Sequence, residues 1–168
     1  MFSRRVVRIA IGLLAGLAFV SGPQTLHAQQ PRCASVMDVL TGSSNFATTT
    51  EAFKTAGLDQ TLATHAGPFT VFAPNQGAFK QIPPWQLNLA LHDKKMISGT
   101  VKYHILTGAA LTSAQLQQIR LLPTLNGKLL PVTVKNGAIV LDGKARVLDA
   151  GTACANGIVY EIDTVLRP

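Results

Sequence analysis

Few side chains in this sequence have the type and spacing that chemistry requires. There are four histidines, His27, His65, His92 and His104, and no two share the i, i+4 spacing that lets one helix present a pair of metal ligands. Cys33 and Cys154 are the only cysteines, with no Cys-x-x-Cys and no adjacent histidine. A nucleophilic serine would need an elbow of the Gly-x-Ser-x-Gly kind, which is missing. Asp149 and Asp163 stand beside a turn and in a closing strand, where capping is the simpler role, and neither has an evident histidine partner. The stretch Thr70–Phe79, "TVFAPNQGAF", could present a helix start to an anion. It lacks both the glycine-rich loop and the Lys-Ser/Thr of a phosphate cradle. No catalytic residue, metal site or cofactor is expected.

The elements explain the same residues more simply. "MFSRRVVR", the apolar run Ile9–Val20 and "LHA" before Gln29 form a basic start, a short apolar segment and a small residue. That pattern describes an export signal over residues 1–28, cleaved after Ala28, and the run is shorter than the roughly 20 residues of a membrane span. Residues 29–168 are then a single domain, secreted to the periplasm or beyond. Loss of Arg4, Arg5 and Arg8 reduces the net charge from +7 to +4. The remaining basic residues are scattered, so nucleic-acid binding is not expected. In an oxidising compartment two thiols usually form one disulfide, here Cys33 to Cys154 across 121 residues. Two free thiols with a metal or redox role are the competing reading.

The mature chain divides into a helical first half and a stranded second half. Helices are expected over 35–42 and 45–58, the second capped by Asn45 and stopped by Gly57, with Phe46, Thr50 and Phe53 on one face. Phe69–Ala73 reads as a strand that Pro74 ends, with Val71 and Ala73 on one face and Thr70 and Phe72 on the other. Asn75 then caps a helix that turns Phe79 and Ile82 inward. Pro84 opens a helix with Trp85–Leu89 and Leu87–Leu91 pairs. The next helix carries Ile97, Val101 and His104 on one stripe, which makes His104 a hydrogen-bonded core residue. Met37 and Met96 also read as core. Thr112 or Ser113 caps a last short helix. From Leu121 onward, Asn126-Gly127, Asn136-Gly137, Asp142-Gly143 and Asn156-Gly157 punctuate an antiparallel meander.

Three blocks occur in order: "AGLDQTL … GPFTVFAPNQGAF", "VKYHILTG", and "TLNGKLLPVTVKNGAIVLDGKARVLDA … ANGIVYEIDTVLRP". Together they resemble the fasciclin-type domain over about Ser35–Pro168. Gln76-Gly77 and Thr107 depart mildly from the family pattern, which bears on loop detail rather than fold. The resemblance implies an α+β fold, a wedge-like, antiparallel-rich β-sheet or sandwich with several short helices packed at one edge. It implies a secreted, noncatalytic interaction or cell-adhesion module whose partner is an extracellular protein or polysaccharide of the envelope or matrix. A monomer is expected, with no transmembrane segment after signal cleavage. In animal relatives the Tyr-His block is linked to receptor binding, which carries over to Tyr103 and His104 as binding candidates. The alternative function is a carrier of an apolar small ligand such as a carotenoid. The family also includes members with a disulfide between the domain's two ends, consistent with Cys33 and Cys154.

Overall fold

The computed structural model describes residues 33–64 and 67–168. The expected signal over 1–28, and His65, lie outside these residues. Helix α1 (Val36–Gly42) begins with a reciprocal cap: the Ser35 hydroxyl accepts from Asp38 N–H at 3.2 Å, and the Asp38 carboxylate accepts from Ser35 N–H at 2.8 Å. A 3-10 turn (Ser44–Phe46) leads into α2 (Ala47–Thr55). Ser43 caps the 3-10 turn, and α2 itself has no side-chain cap; the expected cap Asn45 instead donates its amide to Glu161 Oε1 at 2.9 Å. Gly57, at φ +71°, ends this helical stretch as expected, and α3 (Asp59–Thr64) follows.

Strand β1 (Phe69–Pro74) is buried at every position, and its two faces serve different cores. Val71 and Ala73 meet α1, α2 and α6 (Lys94–Tyr103), while Phe72 faces a second sheet. Thr70 shares the Phe72 face, where its hydroxyl donates to Ala109 O at 2.8 Å and accepts from Leu111 N–H at 3.0 Å. Asn75 then caps α4 (Gln76–Lys80), its Oδ1 accepting from Ala78 N–H at 2.9 Å. Helix α5 (Pro84–His92) starts with Pro84 in the first turn, where no amide hydrogen is needed.

The first sheet has the order β2–β1–β8–β7, using β2 (Ile105–Thr107), β7 (Thr152–Cys154) and β8 (Gly157–Ile162). β1 and β8 are parallel, with Phe69 opposite Gly157 and Pro74 opposite Ile162. After α7 (Ser113–Gln118), capped by Thr112, the second sheet runs in chain order: β3 (Leu121–Pro123), β4 (Leu129–Lys135), β5 (Ala138–Leu141) and β6 (Ala145–Arg146). The antiparallel meander therefore stops at β6. The closing strands cross to the first sheet, where β8 lies between β1 and β7 and Glu161, its one charged residue, accepts from the Asn45 and Asn75 amides.

One core lies between the helices and the first sheet, around Val36, Phe53, Val71, Ile97 and Val159. The other lies between the sheets, around Phe72, Leu130, Leu141, Tyr160 and Leu166. Phe72 and Tyr160, neighbours across the β1–β8 pair, stack with ring centroids 5.9 Å apart. The architecture is a mixed α+β sandwich with α1, α2, α3 and α6 grouped against the first sheet, while α7 places Leu116 in the core between the sheets.

Candidate functional site

Tyr103 and His104 end α6, and both side chains are buried. His104 Nε2 accepts from Leu166 N–H at 3.0 Å, which leaves Nδ1–H to donate to Thr100 O at 2.8 Å. The ring thus takes one neutral tautomer and ties α6 to the segment after β8. Burial lowers its pKa from 6.5 to about 4, the Thr100 carbonyl opposing that shift only in part. The Tyr103 hydroxyl donates to Leu129 O at 3.4 Å. Burial, then the nearby Asp142 charge, raises the Tyr103 pKa. Any contact these two side chains make with a partner from this arrangement passes through the residues that cover them.

Cys33 and Cys154 are joined by a disulfide with Cα atoms 4.6 Å apart. Alongside it, Ala155 N–H donates to Cys33 O at 3.0 Å. Asn156, also buried, extends the closure: its Oδ1 accepts from Val36 N–H at 2.8 Å and its Nδ2 donates to Leu62 O at 2.7 Å. One amide thus holds the start of α1, the end of α3 and the β7–β8 hairpin. Asn156-Gly157 was expected as a left-handed hairpin pair, but neither residue has positive φ. Gly157 is required there for proximity, since a Cβ would overlap the Phe69 carbonyl of β1. Asn136-Gly137 and Asp142-Gly143 do adopt positive φ at both residues; in Asn126-Gly127 only the glycine does.

Asp163 Oδ1 accepts from Arg146 N–H at 2.8 Å and from the Thr164 hydroxyl at 3.0 Å, tying the closing segment to β6. Asp149 Oδ1 accepts from Glu161 N–H at 3.1 Å and Gly151 N–H at 3.3 Å, and burial raises its pKa. Among the described residues, no three of His, Cys, Asp and Glu gather as a metal site would require.

The concave feature that sequence reasoning missed lies beneath α5. None of that helix's residues is buried; Trp85 is 70% and Leu89 57% exposed, and Met96 at the start of α6, expected in the core, is 50% exposed. Between α5, α6 and α2 is a half-open cavity of about 440 Å³, within the usual range for small-molecule sites. Ala52, Phe53, Phe79, Ile97 and Val101 form part of its wall, and His104 reaches it. The sequence did carry a signal. From Pro83 to Leu91 the chain has no charged residue, and Trp85, Leu87, Leu89 and Leu91 spread around the helix instead of forming one stripe.

The two-layer sandwich, the capped corner at Asn75 and the buried Tyr-His pair together characterise an α+β domain. The Fasciclin domain family model matches residues 44–168, and the chain belongs to that family. It is 36% identical over 138 residues to transforming growth factor-beta-induced protein ig-h3 of Sus scrofa, covering 82% of this chain but only 20% of that protein. It is 33% identical over 136 residues to protein sll1483 of Synechocystis, covering 80% of this chain and 73% of that one. Immunogenic protein MPB70 of Mycobacterium bovis is 31% identical over 104 residues, 62% of this chain and 52% of the relative. A FAS1 domain pair from the insect cell adhesion molecule fasciclin I shares the fold, with a TM-score of 0.73 over 82% of this chain and 52% of that one, at 19% identity.

Proposed function

We propose that this chain is a secreted, noncatalytic interaction or cell-adhesion module that binds an extracellular protein or polysaccharide of the envelope or matrix. The observation that carries the reading is a fasciclin domain occupying nearly all the described chain, with the fold of a domain pair from a cell adhesion molecule. The export pattern over 1–28 and the Cys33–Cys154 bond suit an oxidising compartment, periplasmic or extracellular. In this reading residues 29–168 act as one monomeric domain. Tyr103 and His104 serve the binding surface from behind, holding α6 against the closing segment. The test is saturable retention of a purified envelope component by the immobilised protein at moderate salt. Retention no greater than that of an equally basic control protein would refute the reading.

The cavity beneath α5 supports a second reading, a carrier of an apolar small ligand such as a carotenoid. A coloured or lipid-laden protein after purification from its own cells is the expected result of that reading.

A further inference from the structure

We infer that the cavity beneath α5 takes a single-chain amphiphile with a carboxylate head, its chain inside and its head at Arg167; this rests on the carrier reading. The wall is largely apolar; apart from Arg167 and the half-buried Gln86 of α5, its polar side chains are already committed. The Thr49 hydroxyl donates to Pro74 O, the Thr100 hydroxyl donates to Met96 O, and both ring nitrogens of His104 have partners. A polar group placed deep in the cavity would therefore lose its water without finding a replacement. Arg167 is different. It is exposed, it carries the only charged side chain among the described lining residues, and its guanidinium makes no hydrogen bond or ion pair among the described residues. Among the described residues no acidic side chain shares the wall. An acceptor-only carboxylate matches that fork of donors, and the half-open shape lets a head stay wet while the tail is covered.

Trp85, the single tryptophan, lines the cavity and reports on its occupancy. The purified protein is titrated with straight-chain carboxylates from octanoate to tetradecanoate and with the matching alcohols, following Trp85 fluorescence. The expected result is a saturable blue shift, with affinity rising roughly fourfold per methylene until the cavity is full. Arg167→Ala should weaken the carboxylates by roughly fivefold and leave the alcohols unchanged. Ala90→Phe, at a half-buried position of the lining, should weaken the longest chains most. Chain-length dependence that is equal for acids and alcohols, and indifferent to Arg167→Ala, overturns the carboxylate assignment while the carrier reading stands. No saturable shift with any chain overturns both.

Discussion

The backbone N–H of Leu166 donates to Nε2 of His104 at 3.0 Å, joining residues 62 positions apart. That bond exists only while the imidazole is neutral. Folding depresses the His104 pKa from 6.5 to about 4, so the unfolded chain binds the proton more readily. The resulting stability is fully present above pH 6.5 and is lost as pH falls from there towards 4. The displacement corresponds to about 3 kcal/mol. Urea unfolding at a series of pH values should show this loss, and His104→Gln should flatten it. His104→Ala should cost about 1–3 kcal/mol at neutral pH by leaving Leu166 N–H unpaired. An unchanged melting temperature with lost partner binding would instead make His104 a recognition residue.

At the alkaline end the two tyrosines act in the opposite direction. The Tyr160 pKa is raised from 10.0 to about 12, by burial first and the Asp149 charge second, and the Tyr103 pKa is also raised. The folded state holds both phenolic protons where the unfolded chain would release them. Stability is therefore retained below pH 10 and declines as pH rises through the folded values. Since the chain has only two tyrosines, phenolate absorbance should appear together with loss of fold, not before it. Phenolate formation at ordinary pH in a folded chain would contradict the burial of these rings.

Reduction should be costly because the disulfide joins residues 121 positions apart and so restrains a long stretch of the unfolded chain. Cys154→Ser should lose about 2–5 kcal/mol in urea unfolding. Asn156→Ala, which leaves Val36 N–H and Leu62 O without their side-chain partner, should lose about 2–4 kcal/mol. Under the proposed export, mass spectrometry of the protein recovered from the cell envelope or medium should find Gln29 at the N-terminus and no free thiol.

Two glycines should respond with opposite signs. Gly157→Ala drives a methyl into the Phe69 carbonyl and should destabilise by about 1–3 kcal/mol or more. Gly99, inside α6 with open space around its would-be Cβ, should accept alanine with a gain of about 0.5–1 kcal/mol. Thermal unfolding of both variants reads the contrast directly.

Local chemistry was legible wherever neighbouring residues decide it. Pro74 and Asn75 build the corner between β1 and α4, Thr112 caps α7, and the Ile97–Val101–His104 stripe is buried. The family blocks added the fold as a whole. What spacing could not show was long-range pairing. Nothing within "GIVYEI" says that its partner is β1, nor that Gly157 is small for the sake of Phe69. The same limit concealed the cavity: Trp85–Leu89 spacing predicts a helix with an apolar face, whereas the depth of packing beneath it depends on α2 and α6.

The adhesion assignment is tested most directly by coating a surface with the purified protein and counting attached cells of its own source. A same-sized control of equal positive charge separates specific attachment from attraction to anionic envelopes, which salt screens. The account predicts attachment well above the control that persists at moderate salt and is competed by soluble protein. Equal attachment to both surfaces at moderate salt would contradict it.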